Sequence, residues 1–176
     1  INVTMTISDG SRASQYTIPE GSTFTASVDG VSYTFVTREN FTATDNNGTY
    51  SFQTTAGSNI IPICEGSLKT RNFFVGETGE RQIYVLPDNT IDTSTLVVDV
   101  FESSTSNTKE EYTNLNAAVE INTSSTHYEV KETPNGFYEL AFGDGISTGK
   151  APSSGSRIRV KYVATSGSTA NNASVF

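Results

Sequence analysis

The chain has 176 residues, of which 35% are hydrophobic and 17% charged, and its formal net charge is −8. This composition excludes a disordered acidic tail and leaves room for one ordinary domain or two small ones. The acidic balance argues against nucleic acid or an anionic membrane as the main partner. No apolar stretch approaches the ~20 residues that a membrane helix needs.

The first part of the chain predicts short strands separated by tight turns. Residues alternate between apolar and polar in NVTMTI, FTASV, GVSYTFVT and TYSFQTT. Asp29-Gly30 and Asn47-Gly48 are hairpin signals between these segments. Asp45 through Gly48 resembles the start of a calcium loop, but the spacing of the later ligands is absent, so a hairpin turn is the better interpretation. We predict an N-terminal β-rich lobe of residues 1–66.

One cysteine, Cys64, follows in the apolar run IIPIC. A single cysteine excludes an internal disulfide and, in this setting, predicts a buried and inert thiol.

Strand patterns also dominate residues 67–176, which we predict as a C-terminal β-rich lobe. They include TLVVDVFES, HYEVKE, FYELAF and SRIRVKYVAT. The basic row in the last of these, Arg157, Arg159 and Lys161, has the spacing of the solvent-facing side of one strand.

One short helix is predicted near residues 112–120. Tyr112, Leu115 and Val119 have helical spacing, and Thr108 with Glu111 forms a possible capping box. The predicted fold class is therefore mainly β, with two small antiparallel, sandwich-like lobes and one short helix.

Enzymatic chemistry has few candidates in this sequence. His127 is the only histidine and lies in an alternating strand, where we expect a surface or packed side chain rather than a catalytic base. The carboxylate pairs Glu110–Glu111 and Glu129–Glu132 have no partners that the sequence can place. We predict a protein that is not an enzyme, with no catalytic residue, cofactor or metal site.

The stretch FYELAFGDGISTGKAP raises the question of a phosphate-binding loop. A P-loop would need glycine at the position of Asp144 and a hydroxyl residue at Ala151. The spacing from Gly145 to Gly149 also breaks the dinucleotide-binding pattern. Both nucleotide interpretations fail, which leaves a structural turn.

The turn makes specific predictions about its residues. Phe142 ends a strand and points inward, and Gly143 and Gly145 adopt positive φ around Asp144, whose side chain bonds nearby backbone N–H groups. Gly149, Pro152 and Gly155 then lead the chain back into RIRVKYV as the paired strand.

The last third of the chain carries an ordered set of such residues. Its elements are Glu132, the Gly136 turn, the Tyr138 strand, Phe142-Gly143-Asp144-Gly145, Gly149, Pro152, Gly155, Tyr162, Thr165, Gly167 and Asn171. This order resembles the baseplate J-like family of contractile phage tails. IPEGSTFTASVDGVSYTFVT, ICEG and IDTSTLVVDVFES resemble earlier parts of the same family, whereas TANNA departs from its usual glycine before Asn171.

The resemblance implies a structural component of the baseplate wedge, present in the virion and assembled in the host cytoplasm. Its implied partners are copies of itself, as a homo-oligomer, and other wedge proteins, with no nucleic acid, membrane or cofactor. The parent protein would relay conformational change to the sheath, and the chain is expected to be a fragment of it. Phe73, Phe74 and Tyr84 are candidate interface aromatics, or else core residues of their own lobe. The alternative function is a secreted or surface β-sandwich binding module, an adhesin or a carbohydrate-binding domain.

Overall fold

The computed structural model describes residues 1–8, 10, 12–77, 83–117, 120–171, 173 and 176. Strands account for 48% of the protein and helical turns for 4%, and the described residues contain no helix of seven residues or more. The predicted mainly β class is confirmed. The chain forms two compact units, one of residues 1–68 with 165–176 and the other of residues 69–164.

The described residues of the first unit form three small antiparallel sheets. Strand β1 (Thr4–Thr6) pairs with β6 (Thr49–Ser51), and β2 (Gln15–Ile18) pairs with β5 (Phe41–Thr44). The third sheet has the order β3-β4-β7, with β3 at Thr23–Val28, β4 at Val31–Val36 and β7 at Cys64–Glu65.

Both predicted hairpin signals of this unit are confirmed. Asp29 and Gly30, with φ of 52° and 79°, join β3 to β4, whose flanking residues are in register. Asn47 and Gly48 also have positive φ, and the Asp45 carboxylate accepts the Gly48 N–H at 2.7 Å. The stretch that resembles a calcium loop is therefore a turn that uses its aspartate internally.

Two apolar clusters stabilise the first unit. The larger contains buried Phe41, Ala43, Tyr50, Phe52 and Ile61, and the smaller contains Ala26, Phe35 and Ala170. Cys64 is free and only partly buried, so the prediction of a buried thiol is wrong.

Residues 165–176, which we predicted within the C-terminal lobe, belong instead to the first unit. The Glu65 carboxylate accepts hydrogen bonds from the Thr165 hydroxyl at 2.5 Å and from the Ser166 N–H and hydroxyl at 3.1 and 2.7 Å. A short 3₁₀ helix follows at Ser168–Ala170 and buries Ala170. These hydrogen bonds join residues that are far apart in the sequence. Local sequence patterns do not show such contacts, so the prediction placed this segment in the wrong lobe.

The second unit is built on a seven-stranded, nearly closed sheet with the order β8-β14-β10-β11-β12-β13-β9. Its strands are β8 (Ser67–Phe74, which begins within the first unit), β9 (Ile83–Leu86), β10 (Ile91–Phe101), β11 (Lys109–Asn114), β12 (His127–Glu132), β13 (Tyr138–Phe142) and β14 (Arg157–Ala164). Strands β11 and β12 run parallel, whereas β10 pairs antiparallel with β11 and β14, and β13 with β12 and β9.

The sheet encloses the core of the second unit. Val98, Leu140, Ile158, Val160 and Tyr162 are fully buried. Because strand side chains alternate, the residues next to these along each strand point to the outer face of the sheet.

The short helix predicted near residues 112–120 is wrong over the part that the structure describes. Lys109–Asn114 is strand β11, with Tyr112 paired to Val98 of β10, and Leu115–Ala117 is a single 3₁₀ turn. Val119 lies outside the described residues. Sheet pairing outweighs the local helical spacing here.

Candidate functional site

The loop that follows β13 is fastened by one carboxylate. Phe142, the last residue of β13, is buried in the core. Asp144 Oδ1 accepts the backbone N–H groups of Ile146, Ser147 and Thr148 at 2.9, 2.8 and 2.9 Å, and Oδ2 accepts the Ser147 hydroxyl at 2.9 Å. These bonds favour the charged form and hold the pKa of Asp144 well below its usual range.

Three glycines let this loop fold back on itself, for two different reasons. Gly145 and Gly149 have φ of 71° and 104°, and the Gly145 N–H donates to the Gly149 carbonyl at 2.8 Å. Gly143 does not have positive φ, so that prediction is wrong. Its lack of a side chain serves close packing instead, because a Cβ at Gly143 would lie 2.2 Å from the Gly149 carbonyl oxygen.

The return of the loop into β14 differs from the prediction. Pro152 is buried, Gly155 has φ of 82°, and the Gly155 N–H donates to the Val75 carbonyl at 2.9 Å. Strand β14 then lies between β8 and β10 and does not pair with β13. The segment 143–156 is therefore a connection between separate strands of the sheet rather than a hairpin.

A cleft of about 360 Å³ lies beside this loop; we refer to it as the His127 cleft. Its lining includes Leu115, His127, Glu129, Ala141, Asp144 and Thr148. His127, Glu129 and Ala141 come from the outward-facing positions of β12 and β13, since their neighbours Tyr128, Leu140 and Phe142 pack in the core.

His127 is the unusual member of this cleft. It is only 7% exposed, and neither ring nitrogen has a hydrogen-bond partner. Leaving a buried polar group unpaired costs about 1–3 kcal/mol. Gly149 lies against the ring, since a Cβ there would be 3.3 Å from His127 Cδ2. The sequence predicted only a surface or packed histidine and gave no signal that both nitrogens would be unpaired.

Neither carboxylate pair shares one face of a strand, since Glu129 and Glu132 are three positions apart in β12. Neighbouring residues such as Glu110 and Glu111 project to opposite faces of a strand, and Glu110 forms an ion pair with Lys150. Glu129 pairs with Lys131 at 3.2 Å. Among the described residues, no group of three or more histidine, cysteine or acidic side chains is arranged to hold a metal ion.

The basic row of β14 is more than a solvent-facing surface. Asp99 of β10 is fully buried and accepts Lys109 Nζ and Arg159 Nη2, each at 2.7 Å. Arg157 and Arg159 also stack over the Phe101 ring at 4.1 and 4.8 Å. Burial acts to raise the pKa of Asp99, but the hydrogen bonds from the two cations outweigh it and lower the pKa.

The three aromatic interface candidates have different positions. Phe73 and Tyr84 pack against each other with ring centroids 5.3 Å apart and belong to the core of the second unit. Phe74 in β8 is 63% exposed, and Ile83 and Val85 in β9 are 54% and 43% exposed. Strand alternation explains why neighbouring residues in β8 and β9 are either in the core or exposed. The exposed Ile83 and Val85 were missed because an apolar run such as IYVL does not show which face of the strand is buried.

No protein-family model matches the chain, and no curated protein matches its sequence. In the part of the chain that the structure describes, none of the helices has the length and apolar character to cross a membrane.

Proposed function

We propose that this chain is a non-enzymatic structural component of the baseplate wedge of a contractile phage tail. It would assemble with copies of itself and with other wedge proteins, and its parent protein would relay conformational change from the baseplate to the sheath. Within the baseplate J-like family, the chain resembles the wedge subunit of T-even phages.

The Phe142–Gly155 segment is the observation that carries this proposal. The residues that give the sequence its resemblance to the family are also those on which the loop geometry depends. Asp144 supplies the internal carboxylate, Gly143 and Gly149 permit the close approach, and Gly155 leads into β14. Because these residues serve backbone geometry, no ligand or catalytic group is needed to account for the motif, which is compatible with a scaffold protein.

Exposed apolar side chains supply candidate contact surfaces for assembly. Phe74, Ile83 and Val85 belong to β8 and β9, the two edge strands of the seven-stranded sheet, and are 63%, 54% and 43% exposed. The buried centres of protein interfaces are more apolar than the rest of the surface, and aromatic side chains are enriched there. We expect these edges to face other wedge subunits.

Immunogold electron microscopy of lysates from the source organism tests the proposal. An antibody against this chain should label the distal end of contractile tails, and pre-absorbing the antibody with purified protein should remove the label. Gold on cell surfaces, with tails unlabelled, would contradict the wedge assignment.

A surface binding module is the second candidate. The His127 cleft favours it, because small molecules bind in preformed concave sites. Cell-surface label in the same experiment would support this alternative.

A further inference from the structure

We propose that the outer surface of the second unit around Phe101 docks an extended acidic segment of a partner protein. The surface consists of Phe101, Lys109, Arg157 and Arg159, and we refer to it as the Phe101 cluster. It would be one of the contacts of the proposed assembly, and it rests on that proposal only in taking the partner to be a protein.

Positive charge is concentrated on this face of an otherwise acidic chain, whose net charge is −8. Between Val97 and Phe101 of β10, where β11 and β14 lie on either side, the charged side chains of the three strands alternate with core residues and therefore face outward. They are the cations Lys109, Arg157, Arg159 and Lys161 and the carboxylates Asp99 and Glu111. Four positive charges against two negative ones leave this face with an excess of positive charge.

The carboxylate at the centre of the cluster does not neutralise Arg157. Asp99 is fully buried, and its Oδ1 accepts Lys109 Nζ at 2.7 Å while its Oδ2 accepts Arg159 Nε and Nη2 at 3.2 and 2.7 Å. Arg157 Nη2 donates to the Ser106 carbonyl at 3.2 Å, and among the described residues no carboxylate forms an ion pair with Arg157. An anion from a partner would supply the missing charge.

Both guanidinium groups are held in place and can be reached from solvent. Their Cζ atoms lie 4.1 and 4.8 Å from the centroid of the Phe101 ring. Nη1 of Arg157 and of Arg159 has no hydrogen-bond partner among the described residues and, unlike Arg157 Nε, is not buried. Donors that are already ordered do not have to be ordered by the partner, which favours binding.

The spacing of the cations fits carboxylates on an extended segment. Arg157, Arg159 and Lys161 alternate along β14, so their Cα atoms are about 6.6–6.8 Å apart. Acidic residues at alternate positions of an extended segment repeat at the same distance, and guanidinium groups bind carboxylates through paired N–H groups. Arginine and aromatic residues are also enriched in protein interfaces. Nucleic acid is disfavoured, because the acidic remainder of the chain repels a polyanion.

Fluorescence anisotropy of labelled probes with the full chain at low salt tests this surface. The probes are a synthetic peptide of alternating glutamate and serine, the same peptide with glutamine in place of glutamate, and a thymidine oligonucleotide of the same length. The glutamate peptide is expected to bind saturably and to bind more weakly as salt is added. No saturable binding of the glutamate peptide, equal binding of the glutamine peptide, or tighter binding of the oligonucleotide would overturn the proposal.

Variants separate the cluster from the overall charge. Arg157→Gln leaves the bonds to Asp99 in place and should weaken binding of the glutamate peptide by about fivefold or more. Lys131→Gln is the matched control, because it makes the same change of charge at an exposed pair with Glu129 on β12, and it should change the affinity by less than about twofold. Equal losses in the two variants would refute the site.

A second substitution keeps the test valid if Arg157→Gln does not fold. Arg157→Lys retains the charge but loses the planar fork, so its affinity for the glutamate peptide should fall below that of the wild type. Wild-type affinity in a folded Arg157→Gln or Arg157→Lys variant would refute the site.

The surface and the baseplate assignment can fail separately. Gold-labelled tails together with no peptide binding would overturn this surface alone. Peptide binding together with unlabelled tails would overturn the baseplate assignment and leave the surface in place.

Discussion

Replacing Gly143 with alanine is the sharpest test of the loop. The new Cβ would lie 2.2 Å from the Gly149 carbonyl oxygen, whereas real Cβ contacts essentially never fall below 3.0 Å. The oxygen must therefore move away, which strains the loop and weakens the 2.8 Å bond from the Gly145 N–H. Overpacking costs about 1–3 kcal/mol and a lost hydrogen bond about 1 kcal/mol, so we expect a loss of about 2–4 kcal/mol.

Two other glycines make this a calibrated series. Gly149→Ala combines a φ of 104° with a Cβ 2.8 Å from the Ser125 carbonyl oxygen, and should cost about 2–5 kcal/mol. Gly155→Ala is the matched control, since its φ of 82° brings strain but nothing lies within 4 Å of the new Cβ. Its strain outweighs the gain from the lower entropy of the unfolded chain, so the net cost should be about 1–2 kcal/mol.

Differential scanning calorimetry and near-ultraviolet circular dichroism of tyrosine are suitable assays, because the chain has no tryptophan. For a domain the size of the second unit, Gly143→Ala should lower the Tm by on the order of 10 °C. If Gly143→Ala were no less stable than Gly155→Ala, the close approach of Gly143 to Gly149 would be refuted.

Three further predictions concern buried or paired side chains. Asp99→Asn should destabilise the second unit by about 1.5–3 kcal/mol in urea unfolding, because Lys109 and Arg159 lose a charged partner. The pKa of Asp99 is lowered in the folded state, so its contribution to the free energy of unfolding is present above about pH 4 and is lost as the pH falls below it. A free energy of unfolding of the wild type that does not decrease below about pH 4 would contradict this. Burial, with a smaller effect from a nearby glutamate, raises the pKa of Tyr112 to about 12, so stability should fall as the pH rises from about 10 towards 12, and Tyr112→Phe should flatten that fall. Glu65→Gln should increase hydrogen exchange at the Ser166 amide while leaving the second unit unchanged; equal exchange in both proteins would refute the pairing.

Features set by two or three neighbouring residues could be predicted from the sequence. Asp29-Gly30 and Asn47-Gly48 carry positive φ at the turns where they were expected. The Gly136 turn between β12 and β13 follows the same logic, with the Gly136 N–H bonded to the Thr133 carbonyl at 2.9 Å. In each case, the residue type limits the backbone conformation, so no distant contact is needed.

Features that depend on distant partners could not be predicted in this way. Helical spacing around Tyr112 is outweighed by pairing with Val98 of β10. Asp99 lies in the apolar segment VVDVF, and only the approach of Lys109 and Arg159 gives it its role. The same holds for His127, since its burial depends on a loop that returns from residues 143–150 to cover it. Sequence periodicity gives the face of a strand but not what covers that face.

The Phe142–Gly155 loop also explains why a glycine-rich, lysine-containing stretch here is not a phosphate site. In phosphate-binding loops, successive backbone N–H groups point at the anion of a ligand. In this protein the N–H groups of Ile146, Ser147 and Thr148 point at the carboxylate of Asp144, an anion that belongs to the chain itself. The low pKa of Asp144 keeps that carboxylate charged, and Lys150 is engaged by Glu110 on β11. The glycines bring the backbone around an internal anion, so the loop is complete without a ligand, and the unpaired polar atoms lie beside it at His127.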